Sequence, residues 1–309
     1  MAAIAALRST LSALRGNPVL FLAGLLYGAI ILPQTALQLA GVSVVPTLLQ
    51  ILTFFVTPFV VAGLLGMASE SLDGNTSFST LTRVGKERYV PLLVGSIVEF
   101  VIVFGFGIIA ALVAIVAAIG LFGVGGGAAA GGGAMIAVAA VVLLVVLAFM
   151  ILNFFIQFYS VAIVVGGTDA LDGFRESYRL VRDNLVSALG YSVINFVVSL
   201  VTAIPITGFV VWQTFQNLPQ FQEGAAPGAG AGAGAGAGQM ASLGLSTQEV
   251  LLVSLVSLAT TMLLFTFQRT YATAFYRMHE PRSRPEDFAE TDEFDDTGGF
   301  DDDGEESTL

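Results

Sequence analysis

The sequence predicts an all-α integral membrane protein with six transmembrane helices, three basic interfacial amphipathic helices and a disordered acidic C-terminal tail. Three observations carry that prediction. Apolar residues make up 55% of the chain and charged residues only 11%, and several apolar runs exceed the ~18 residues that read as a bilayer crossing. The basic side chains fall in alternate segments between those runs. A module of amphipathic stretch, polar hinge and long apolar helix occurs three times, beginning near Ile4, Phe78 and Thr168.

The third copy is the clearest. Leu171, Phe174, Tyr178, Val181 and Leu185 recur at spacings of three and four and share one helical face. Arg175, Arg179 and Arg182 fall on one flank of it, while Asp172, Glu176 and Asp183 point away. A helix lying in the interface suits this pattern, its arginine stems snorkelling to lipid phosphates and its acids in water. A basic cytoplasmic loop without lipid contact is the alternative. Thr168 is the expected N-cap, with Asp169 and Asp172 favouring the helix dipole, and Asn184 is expected to cap the spanning helix that follows.

The first copy covers residues 2–15, with Ile4, Leu7, Leu11 and Leu14 on one face and Arg8 and Arg15 on its flank. Gly16-Asn17-Pro18 ends it, because the residue before proline avoids the α region while proline suits a first helical turn. Span one follows at about 18–39 with a kink expected at Pro33. A basic start before an apolar run is also the pattern of a signal peptide; the long run and the lack of a small-residue cleavage site favour an uncleaved anchor. Gly41–Ser43 reads as a turn, and span two returns at about 46–67. After the turn signal Asp73-Gly74-Asn75, copy two runs from Phe78 to Arg88 with Arg83 and Lys86 on its basic flank.

Span three is expected at about 89–119, and Gly123–Gly133 as a flexible glycine–alanine loop. Span four covers about 135–165 and span five about 185–211, with Trp212, Phe215 and Phe221 suited to the opposite interface. Residues 224–238, ending in an Ala–Gly alternation, read as a linker. Span six covers about 249–267 and continues helical past Arg269 to Arg277. The membrane domain thus occupies 1–278, and 279–309 form the disordered cytoplasmic tail.

Orientation follows from charge. All twelve Lys and Arg residues belong to one side or its margin, and the segments 40–45, 120–134 and 212–248 contain none. The positive-inside rule then places both termini in the cytoplasm of a multi-pass cell-membrane protein. The net charge of −11 is a property of the tail, since thirteen acids and two arginines follow His279 and the rest of the chain balances. Such a tail stays hydrated and is repelled by anionic lipid and nucleic acid. Phe288, Phe294 and Phe300 within it could still hold a cytoplasmic protein partner, although isolated rings in a solvating tail are the blander reading. Membrane lipid is the partner expected of Arg8, Arg15, Arg83, Lys86, Arg175, Arg179 and Arg182.

The copies align on Asn17, Arg88 and Asn184. A basic residue stands two places earlier in each, Arg15, Lys86 and Arg182, and a glycine six or seven places later, Gly24, Gly95 and Gly190. Small residues there allow helices to approach closely in lipid. The pattern Ala13-Leu14-Arg15-Gly16-Asn17-Pro18, with the stretch from Phe174 to Gly190, resembles uncharacterised six-span membrane proteins of halophilic archaea. More distantly it is similar to the membrane domain of bacterial glycerophosphodiester phosphodiesterases. The resemblance covers about residues 1–278 and implies a helical membrane domain; the catalytic barrel of those enzymes is absent, so their activity is not implied. A single lysine and an acidic tail agree with a salt-accumulating cytoplasm.

Glu99 is the one acid expected well inside a span. An ionisable group there costs roughly 3 kcal/mol or more, which makes it a functional candidate. Asn153, Gln157, Asn195 and Arg269 reach comparable depths and form with Glu99 the expected intramembrane polar cluster. A protonated or paired Glu99 holding helices together is the structural alternative. Catalysis is not expected. His279 is the sole histidine, there is no cysteine, no metal-ligand spacing occurs, and the glycine runs lack a phosphate loop's lysine. No cofactor is expected either. These features favour a non-catalytic accessory or membrane-organising protein. A proton- or cation-coupled transporter or channel using Glu99 is the first alternative, and a membrane-anchoring subunit of an enzyme complex the second. A polar cavity around Glu99 would favour transport, and helices close-packed on small residues would favour the organiser.

Overall fold

The computed structural model describes residues 2–39, 44–122, 132–224 and 247–279. The expected turn at 41–43, the glycine–alanine run 123–131, the linker residues 225–238 and the acidic tail from 280, with Phe288, Phe294 and Phe300, lie outside them. Among the described residues every element is helical: α1 (Ala2–Gly16), α2 (Val19–Leu39), α3 (Val44–Asp73), α4 (Phe78–Glu87), α5 (Tyr89–Phe122), α6 (Gly132–Ile156), α7 (Tyr159–Val164), α8 (Ala170–Asp183), α9 (Leu185–Gly224) and α10 (Thr247–His279). Six stretches are long and apolar enough to cross a membrane: Val19–Gln38, Val44–Asp73, Tyr89–Val116, Val138–Val164, Leu185–Ile204 and Val250–His279. Several helices outrun their expected spans. α3 continues to Asp73, and α9 to Gly224 rather than ending near Val211. α2 runs helical through Pro33 and α3 through Pro58. In the turn that Pro58 disturbs, the Phe55 carbonyl accepts a hydrogen bond from the Tyr89 hydroxyl at 3.0 Å.

The core lies where α1, α4 and α8 meet the ends of the long helices. Tyr271, Phe275 and Tyr276 of α10, Phe158, and Leu64, Leu65 and Met67 of α3 are fully buried there. The short helices bury mainly small residues and only part of their expected apolar faces. α1 buries Ala3, Ala6, Thr10, Ala13 and Leu14, and α8 buries Ala170, Gly173, Ser177, Leu180 and Val181, while Ile4 and Leu11 of α1, Leu171 and Tyr178 of α8, and Leu185 at the start of α9 stay exposed. Two assignments on α8 change as a result. Phe174 leaves the exposed apolar face and stacks on Tyr159, ring centres 4.5 Å apart and planes 5° apart. Glu176, expected in water, accepts a hydrogen bond from the buried Tyr276 hydroxyl.

Close approach of backbones explains the small residues. A Cβ on Gly24 would stand 2.1 Å from Thr266 Oγ1 and 2.6 Å from the Met262 carbonyl, which fixes the separation of α2 and α10. A Cβ on Gly63 would stand 2.5 Å from the Leu81 carbonyl, so α3 and α4 meet the same way.

The hinges are cross-tied. Asn17 donates to the Gly74 carbonyl at 3.0 Å and accepts from the Thr76 amide at 3.0 Å, holding the segment that leads into α4. Arg88, at the end of α4, donates to the Gly167 carbonyl at 3.2 Å, holding the segment that leads into α8. Gly167 adopts φ 72°, a conformation costly to other residues. Glu70 gathers Arg83 at 2.7 Å with Thr76 and Thr80, and Asp73 pairs with Arg277 at 2.7 Å. The expected caps differ. Asp169 rather than Thr168 occupies the N-cap of α8, since the Thr168 hydroxyl oxygen is buried without a hydrogen bond. Asn184 directs its side chain back to the Leu180 carbonyl at 3.1 Å, finishing α8 instead of capping α9.

The predicted single helix of span four is also broken. α6 ends at Ile156 and α7 begins at Tyr159. Ser177 of α8 fills the gap: its hydroxyl donates to the Phe155 carbonyl at 2.7 Å and accepts from the Phe158 amide at 3.1 Å. A side chain inserted into the helical ladder satisfies the groups that the break releases.

Candidate functional site

That break sets up the polar site. Tyr159, the first residue of α7, is pinned by Phe174 on one ring face and directs its hydroxyl to α5. There it donates to Glu99 Oε2 at 2.5 Å. The short distance suits a charge-assisted bond to a carboxylate. Glu99 is half-buried and lines two cavities.

The larger cavity, about 620 Å³, lies between α6 and α9, with Asn153, Gln157, Ser192 and Arg269 among its polar walls. The smaller, about 330 Å³, lies between α3 and α5 and includes Thr57 and Ser96. Glu99, Tyr159, Ser160 and Arg269 belong to both. These four side chains are therefore the wall that the two cavities share.

Arg269 enters this wall from α10. Its Nη1 donates to Ser160 Oγ at 3.4 Å, and its charged carbon lies 5.4 Å from the centre of the Phe265 ring. Among the described residues no carboxylate lies within ion-pairing distance of it. Arg269 shares the wall with Glu99, but Tyr159 rather than Arg269 bonds the carboxylate.

Four of the five expected cluster residues, Glu99, Asn153, Gln157 and Arg269, line the larger cavity. Gln157 accepts a hydrogen bond from Ser192 at 3.1 Å and donates to the Phe154 carbonyl at 3.0 Å. Asn153 folds back onto the Phe149 carbonyl at 2.9 Å. Asn195 lines neither cavity, and its side-chain oxygen is buried without a hydrogen bond. Tyr159, Ser160 and Ser192 were missed. The sequence carries no signal for the first two, a phenol and a hydroxyl beside phenylalanines just after Gln157, until their neighbours are known.

The seven basic residues assigned to lipid, Arg8, Arg15, Arg83, Lys86, Arg175, Arg179 and Arg182, are all exposed. Arg83 also pairs with Glu70, and Arg175 with Asp172 at 2.8 Å. Among the described residues no group of acids and histidine is arranged to hold a metal ion. The chain belongs to the family described as a domain of unknown function, DUF7847, which matches residues 1–279. No curated protein and no solved structure matches it.

Proposed function

We propose that this chain crosses the cell membrane six times with both ends in the cytoplasm, and works without catalysis as a carrier that engages an ion or small solute at Glu99. The single observation behind this reading is that Glu99, held by Tyr159, lines two cavities that share one polar wall. A carboxylate at that depth that served only to bind helices together would have no need of space beside it. Two spaces meeting at one titratable group suit a site where proton or cation occupancy is coupled to a solute. The membrane threading rests on the six apolar helices and on the clustering of basic residues at one end of them. Kinship with the six-span proteins of halophilic archaea is part of the same proposal.

The test is proton movement in proteoliposomes that carry an internal pH indicator, driven by an imposed sodium or potassium gradient. Wild-type protein should move protons faster than empty vesicles, and Glu99→Gln should abolish the difference. Equal rates for the two proteins would overturn the carrier reading. A second reading, an accessory or membrane-organising protein, draws support from the other half of the molecule. There the helices meet at Gly24 and Gly63, and the exposed basic side chains suit anionic lipid.

A further inference from the structure

We infer that the larger cavity is a lateral binding cleft for a single-chain anionic amphiphile, with Arg269 receiving the head group and the rim between α6 and α9 receiving the apolar chain. The inference rests on the membrane-embedded carrier reading and names its substrate class. Its first support is the rim. Met150, Leu189, Val193 and Phe196 line the cavity and are each more than half exposed on the outer surface of the helix bundle. In a six-span bundle that surface meets lipid, so the cavity opens sideways to acyl chains. Its volume of about 620 Å³ falls within the ~300–1,000 Å³ usual for small-molecule sites.

The second support is the charge at the inner end. A guanidinium has five N–H donors, and Arg269 places one of them in a long 3.4 Å bond to Ser160. Arg269 lines both cavities, where unmet hydrogen-bonding capacity is expensive. A carboxylate or phosphate satisfies such donors in a bidentate, charge-assisted way that a cationic or neutral head group cannot. Glu99 does not fill that role, because no carboxylate among the described residues lies within ion-pairing distance of Arg269 and the Glu99 Oε2 is bonded to Tyr159. Glu99 and Arg269 line the same cavity, which ties head-group binding to the coupling site. Ser192 and Gln157, already bonded to each other on the same wall, offer further polar contacts.

The experiment is equilibrium binding of radiolabelled dodecyl phosphate to the full chain in phosphatidylcholine nanodiscs, with empty discs subtracted. Saturable binding is expected, displaced by dodecanoate but not by dodecyltrimethylammonium or by inorganic phosphate at equal concentration. Arg269→Gln should weaken it at least tenfold. Val193→Trp, at an exposed rim position, should also weaken it, whereas Leu251→Trp, exposed on α10 away from both cavities, should not. Displacement by the cationic amphiphile would overturn the proposal, and so would equal displacement by inorganic phosphate, which would mean a free-anion site. Unchanged binding in Arg269→Gln would overturn it too; if that variant does not fold, unchanged binding in Val193→Trp decides against the cleft. Intact, Arg269-dependent binding without Glu99-dependent flux would sink the carrier reading alone.

Discussion

The hydroxyl of Tyr159 donates to the carboxylate of Glu99 at 2.5 Å, joining α7 to α5 across sixty residues of chain. Phe174 of α8 stacks on the same ring, so one short surface helix positions the phenol that holds the half-buried acid. The chemistry of the polar wall is thus coupled to the packing of a helix that contributes no group to the larger cavity.

Tyr159→Phe keeps the stacking surface and removes the donor. A hydrogen bond to a charged group contributes about 1.5–3 kcal/mol, so the variant should lose stability of that order, read as a lower unfolding temperature in nanodiscs. An unchanged unfolding temperature would mean that Glu99 finds an equal partner elsewhere.

Ser177→Ala leaves the Phe158 amide without its acceptor inside the core. The cost of an unsatisfied buried backbone group is about 1–3 kcal/mol. Amide hydrogen exchange should accelerate around residues 155–160; protection equal to the wild type would show that the break is held by something else.

Gly24→Ala and Gly105→Ala should part company. The first forces α2 from α10, with an overpacking cost of about 1–3 kcal/mol, because its Cβ would overlap Thr266 and Met262. The second meets nothing within 4 Å and should be neutral or stabilising by up to ~1 kcal/mol. Similar thermal stability of the two variants would contradict the close α2–α10 contact.

The chain has no cysteine, so single-cysteine variants report position without background. Lys86→Cys and Arg179→Cys should react with a membrane-impermeant maleimide only after the cytoplasmic face is opened. Modification of either from outside intact cells would refute the proposed threading.

How much of this was written in the chain order can be judged from particular residues. The six long apolar helices and the three short amphipathic ones were legible because hydropathy and helical period are local sums over neighbouring side chains. Glu99, Gln157 and Arg269 were legible as site candidates because a polar group in an apolar run is conspicuous wherever it ends up. Tyr159 was not, since a tyrosine among phenylalanines carries no signal until its neighbour is known. Nor was the orientation of α8. Leu171 and Tyr178 stay exposed, while the small residues Ala170, Gly173 and Ser177, which let backbones approach, are buried together with Leu180 and Val181.

The sequence by itself therefore determined the class of fold, the helical segments among the described residues less the break at Gln157–Phe158, and the residue types available to a polar site. Only the tertiary structure decided that Ser177 would interrupt α6 and α7, that Tyr159 rather than Arg269 would hold Glu99, and that Asn195 would stand apart from the cavities. The reason is physical. Helix formation and apolar character depend on residues within a few turns, whereas a hydrogen bond between α5 and α7 depends on distances that every other packed helix helps to set.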